Sequence, residues 1–153
     1  MEYEMIWKWD QRFLDLAKFV SQWSKDPSTK VGGVIVDEHK RVISLGFNGF
    51  AKGVKDTEER YSNRELKYSM VVHAEVNALL FAERDVTGCT LYTYPFAPCS
   101  SCASLVIQSG IKRVVAPHPT RELLERWGDS LKLAKTLFFE AGVELDLVKS
   151  FEF

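Results

Sequence analysis

The stretch "CTLYTYPFAPCSSCASLVIQSGIKRVVAP", residues 89–117, reads as a strand, a helix and a second strand in immediate succession. "CTLYTYP" is rich in aromatic and β-preferring residues. Pro98 stands where prolines favour the start of a helix, and Gly110 is a suitable stop for it. "IKRVVAP" then supplies the second strand. A strand, helix and strand in this order call for a right-handed crossover and parallel neighbouring strands. The unit sets the expected fold class as α/β.

The pattern continues in both directions. Downstream, "RELLERWGDSLKLAKTLFFEAG" predicts one or two helices interrupted near Gly128, and "VELDLV" a last strand. Upstream, "HAEVNALLFAER" predicts a helix beginning near His73. "VGGVIVD" and "RVISLGF" read as two strands joined through "DEHK" into a hairpin. In residues 6–24, Ile6, Trp9, Phe13, Leu16, Ala17, Val20 and Trp23 recur at three- and four-residue steps, the signature of an amphipathic helix. Pro27 in "DPSTK" breaks it. From Asn48 to Val71 the chain is charged and polar, with a short helix expected around Glu58–Tyr68. Excursions of this length often carry function. The expected architecture is a three-layer α/β/α arrangement. Its five-stranded mixed sheet has an N-terminal hairpin and parallel C-terminal strands, in one domain over residues 1–153.

The totals exclude little but point one way. A chain of 153 residues, 46% apolar and 27% charged, can bury a substantial core. A formal net charge of −1 gives no general grip on a polynucleotide, so none is expected as a partner. No apolar run approaches the roughly 20 residues of a membrane helix, and "MEYEMIWKWD" is unlike a signal peptide. A cytoplasmic location is the expectation. There the three cysteines, an odd number, are poor candidates for a structural disulfide.

Cys99 and Cys102 form a C-x-x-C pair at a helix start, where unpaired N–H groups and the helix dipole favour thiolate. The spacing alone fits a redox pair or half a metal site. His73 opens another helix after a loop or strand. Two helices that begin at the same sheet edge bring their first turns together, so His73 can face both thiols. Three protein donors leave a fourth tetrahedral position open, the pattern of a catalytic zinc site. Glu75 reaches the same region from the helix end. A carboxylate beside a zinc-activated water can take its proton and later hand it on.

"HAE" at 73–75 followed by "PCSSC" at 98–102 resembles the H-x-E and P-C-x-x-C signature of the zinc nucleobase deaminases. Beyond that motif the chain resembles the deoxycytidylate (dCMP) deaminases through "SKDPSTKVGGVIVD", "GFNG", "HAEVNALL" and "LFFEAGVEL". The resemblance implies a cytidine-deaminase-like fold and hydrolysis of dCMP to dUMP and ammonia. It assigns His73, Cys99 and Cys102 to Zn2+ and Glu75 to proton transfer. It further implies that Asn48 contacts the sugar, that Ala74 packs against the base, and that Ser24, Lys25 and Lys30 lie near the 5′-phosphate. Asn48-Gly49 is equally a turn signal, and Lys25 equally a charge at a helix C-terminus. His118 and Arg121 follow a strand at the same edge. The tryptophans at 7, 9, 23 and 127 read as core or subunit contacts.

Regulated relatives respond to dCTP as activator and dTTP as inhibitor, and the 48–71 segment has room for a triphosphate site. A homohexamer is the implied assembly. The alternative reading is deamination of another cytosine compound: dCTP, a 5-substituted dCMP, cytidine or a base in nucleic acid. Ala51 after "NGF" and Ala97 before Pro98 depart from many relatives, which carry proline and glutamate there.

Overall fold

A computed structural model describes the backbone of residues 2–149 and the side chains from residue 8 onward. The Ile6 and Trp7 side chains therefore lie outside the described residues. Helix α1 (Glu2–Ser21) leads to the hairpin of β1 (Gly32–Val36) and β2 (Val42–Phe47). The excursion holds β3 (Gly49–Phe50), α2 (Glu58–Ser62), α3 (Arg64–Met70) and β4 (Val71–Val72). Then follow α4 (Ala74–Phe81), β5 (Thr90–Tyr94), α5 (Ser100–Gln108), β6 (Arg113–Pro117), α6 (Arg121–Ala141) and β7 (Glu144–Val148).

The sheet order is β2-β1-β5-β6-β7. β1 is antiparallel to both β2 and β5, whereas β5, β6 and β7 run parallel. This is the expected mixed sheet. Strand alternation divides the core between its faces. Val34, Val36, Tyr92 and Val115 meet Phe13, Leu14 and Ala17 of α1 on one face. Ile35, Leu91 and Val114 meet Ala78 of α4, Ala103 and Val106 of α5, and Ala134 and Phe138 of α6 on the other. Three layers result, with two helix starts brought side by side at one edge.

Local departures from expectation have physical causes. α6 is one continuous helix of 21 residues that passes through Gly128. Its ends are fixed by the Thr120 hydroxyl, which accepts from Leu123 N, and by Gly142 in the left-handed region. A burial stripe along Trp127, Leu131, Ala134 and Phe138 outweighs the cost of one interior glycine, about 1 kcal/mol. The short helix expected around Glu58–Tyr68 is two, α2 and α3, because Asn63 ends one and its side chain caps the next at Leu66 N. α1 ends at Ser21, short of Pro27, and residues 22–24 continue as 3₁₀-like turns. Among the described residues no helix is long and apolar enough to cross a membrane.

One glycine governs where α4 sits. A Cβ at Gly46 would overlap the Ala74 carbonyl oxygen and the Ala78 backbone nitrogen. Helix α4 thus rests directly on the β2 backbone, which sets the height of its first turn above the sheet.

Candidate active site

His73 is the N-cap of α4 and Cys99 the N-cap of α5, both in extended backbone geometry. Neither side chain makes the usual capping bond to its own helix. Both are free to turn away from the backbone, and they turn toward each other. His73 Nδ1 lies 3.1 Å from Cys102 Sγ and 3.6 Å from Cys99 Sγ. All three donor atoms fall within 4.8 Å of one another. A tetrahedral zinc with bonds of about 2.3 Å to sulfur and 2.0 Å to nitrogen places its donors about 3.5–3.8 Å apart. The cluster fits that ion, and two thiolates with an imidazole suit its softness.

Since Cys99 does not cap α5, its exposed backbone groups are met from elsewhere. The Ser100 N–H donates to Ser130 Oγ of α6 at 3.0 Å. This contact, which the sequence reading missed, ties α6 to the metal end.

The electrostatics suit cation binding. A hydrogen bond from the Cys102 thiol pulls Cys99 down to about 4, and Cys102 is pushed up in turn. His73 is raised chiefly by its bond with Cys99. Together the two sulfurs share a proton that a metal would displace. Glu75, in the first turn of α4, is 5% exposed, and burial pushes its carboxyl up to about 7.

One cavity joins these groups. Its lining includes His73, Ala74, Glu75 and Cys99 at the metal end, and Asn48, Asp26, Lys67 and Thr29 further round. Phe96, Tyr68, Arg126 and Trp127 also line it. Asn48 is buried, and both ends of its amide are engaged. Nδ2 donates to Thr29 O at 2.9 Å, while Oδ1 accepts from Val31 N at 2.9 Å. Asn48 therefore shapes the 24–31 loop as well as lining the cavity. Lys67 assists from α3: buried at 4% exposure, it pairs with Asp26 at 3.0 Å. The same Asp26 oxygen accepts from Ser28 N at 2.8 Å.

The loop itself differs from expectation. Ser24 is buried, with its hydroxyl donating to Asn48 O at 2.9 Å, and does not line the cavity. Lys25 points outward to Asp56 at 2.6 Å, and it too is absent from the lining. A buried backbone acceptor claims the first and a surface carboxylate the second. Lys30, His118 and Arg121 are exposed and likewise outside the lining. Among the tryptophans, Trp9 packs against the α1-side core, Trp23 is exposed, and Trp127 lines the cavity. The last was expected as a core or subunit contact. It belongs to the apolar stripe on α6, whose Leu131 lines the same cavity.

A metal site open on one side, at the ends of two helices and with a carboxylate in the same cavity, defines a metal-dependent enzyme of hydrolytic type. Comparison with known proteins narrows the class. The chain belongs to the cytidine and deoxycytidylate deaminases: the family's zinc-binding region matches residues 7–117. It is 46% identical over 150 residues to an uncharacterized deaminase of Aliivibrio fischeri from the luxG 3′ region, spanning 95% of this chain and all of that one. Human deoxycytidylate deaminase is 36% identical over 144 residues, covering 89% of this chain and 77% of the human one. Among solved structures, the dCMP deaminase of cyanophage S-TIM5 in complex with dCMP and dUMP superposes with a TM-score of 0.70. That match has 25% identity and covers 90% of this chain and 95% of that one. The cytidine-deaminase-like fold and the zinc cofactor follow.

Proposed function

We propose that the protein hydrolyses dCMP to dUMP and ammonia, supplying dUMP for thymidylate synthesis, and that residues 1–153 form one deaminase domain. The observation that carries this reading is the three-donor cluster within 4.8 Å beside buried Glu75 in one cavity. The relatives named above support dCMP as the substrate.

His73, Cys99 and Cys102 would hold the zinc ion. When bound there, zinc supplies Lewis acidity, which lowers the pKa of water toward neutrality. The chain's own residues then manage the protons. Glu75 takes a proton from the attacking water and delivers it to the ring nitrogen beside the amino-bearing carbon. Water oxygen bonds to that carbon. A second proton passed through Glu75 goes to the amino group, the carbon–nitrogen bond breaks, and ammonia leaves. A carboxyl held near neutrality by burial is matched to both giving and taking. Ala74, fully buried at the α4 start, keeps the wall flat beside the base. Asn48 supports the sugar side through the loop it fixes and the surface it presents.

Glu75→Gln tests the mechanism. It should retain zinc by elemental analysis while turnover falls by at least about 10²- to 10⁴-fold, the usual range for such a group. Full activity with zinc bound would remove Glu75 from the chemistry. A panel of dCMP, dCTP, deoxycytidine and an oligonucleotide, run with and without dCTP and dTTP as effectors, tests the substrate and the regulation together. Activity confined to the nucleoside would overturn dCMP. A homohexamer is part of the same reading. The exposed aromatic row of Phe19, Trp23 and Phe47, with successive ring centroids 5.7 and 6.0 Å apart, supports contact between copies, and sedimentation measures it.

A further inference from the structure

The wall of the cavity formed by α6 lies beyond residues 7–117 matched by the family. It carries an unusual group. The indole Nε1–H of Trp127 is buried and reaches no acceptor among the described residues. A buried donor left without an acceptor costs about 1–3 kcal/mol, so it is retained where something supplies one. Two rings flank the indole. Tyr68 lies edge-on at 6.2 Å and Phe96 is tilted at 6.5 Å. All three rings line the cavity that contains His73 and Glu75.

Charge nearby indicates what kind of acceptor fits. Arg126, the preceding residue, lines the same cavity, and its guanidinium lies 5.4 Å from the Trp127 ring centroid. Its side chain reaches Thr29 Oγ1 at 3.5 Å and forms no ion pair among the described residues. Lys67 Nζ lies 5.6 Å from the Tyr68 ring centroid, though Asp26 already offsets its charge. An unsatisfied N–H beside an unpaired guanidinium selects an anionic oxygen over a neutral one.

We propose that Trp127 and Arg126 of α6 form a phosphate-reading pair, Trp127 donating its indole N–H and Arg126 its guanidinium to the 5′-phosphate of the nucleotide. The assignment rests on the dCMP reading above. It moves phosphate recognition from the Ser24–Lys25 end of the "SKDPSTK" loop, where Lys25 is paired with Asp56, to the neighbouring helix α6. Thr29 is the point at which loop and helix meet.

The test compares kcat/KM for dCMP and deoxycytidine in the zinc-loaded enzyme and in Trp127→Phe and Arg126→Gln. Phenylalanine keeps the aromatic packing and removes only the donor, and zinc content checks that the site remains assembled. Each variant should lose on the order of tenfold more on dCMP than on deoxycytidine, mainly through KM. Inhibition by dUMP should weaken by a similar factor relative to inhibition by deoxyuridine. A Trp127→Phe enzyme with the wild-type ratio overturns the proposal, whatever Arg126→Gln does, as do equal losses on both substrates. A wild-type enzyme that does not turn over dCMP defeats the parent reading instead, and this one with it.

Discussion

The cavity is lined by two groups of residues, and they are put together differently. The metal wall places His73 and Cys99 at N-caps and Cys102 one turn further on, so a few residues at two helix starts fix every donor atom. The other wall draws on the 24–31 loop, α3 and α6, which long-range contacts bring together. Examples are Lys67 with Asp26 and Arg126 with Thr29. Chemistry common to a family can reside in short motifs with fixed backbone geometry. Selectivity can reside in contacts that any of several segments could provide. The first wall should fail all at once when a donor is lost, and the second by degrees.

The largest break is at the metal wall. Cys102→Ala removes one of three donors and, with it, the acidification of water from about 15.7 to about 7 that zinc provides. Elemental analysis should show zinc lost, and turnover should drop to background. Zinc retained at full occupancy with turnover intact would mean that the three-donor cluster is not the site.

Next in size is the buried ion pair of the other wall. Lys67→Met leaves the Asp26 carboxylate buried without its cation, and such half-removed pairs cost about 3–5 kcal/mol. Urea denaturation should show that loss. Adding Asp26→Asn in the same chain should recover part of it, because the uncompensated charge disappears. If the single variant is as stable as wild type, Lys67 is not holding the loop, and the second wall has less internal support than its contacts imply.

The same contrast explains what could be read from the sequence. The strand–helix–strand unit, the hairpin and the His73–Cys99–Cys102 triad were legible because each rests on local signals: turn residues, periodicity and residue types at helix starts. The break at Asn63 was not read, although asparagine is a good cap: one helix was expected where Asn63 ends α2 and its side chain caps α3. Nor were the places of Ser24 and Lys25. Whether a loop lysine faces a cavity or a surface carboxylate depends on Asp56, which lies 31 residues away. Trp127 falls between these cases. The 3–4 residue spacing from Trp127 through Leu131 and Ala134 to Phe138 puts it on the buried stripe of α6, which suggests core. Only the tertiary structure shows that this end of α6 borders the cavity, tied to α5 by the Ser130–Ser100 contact.

The smallest effect sharpens the comparison most. Gly128 adjoins Trp127 within α6, its backbone is helical, and a Cβ there would meet nothing within 4 Å. Gly128→Ala should therefore stabilise the protein by about 0.5–1 kcal/mol, since alanine loses less conformational freedom than glycine on entering a helix. Denaturant unfolding measures that gain. If the α6 wall works as a fixed surface, kcat/KM for dCMP should remain within about twofold of wild type, a difference of about 0.4 kcal/mol. A gain in stability joined to a clear fall in dCMP turnover would show that the helix must flex at Gly128 to admit the nucleotide. The wall carrying Trp127 would then be a moving part, unlike the metal wall, which is held by the close seat of α4 on Gly46.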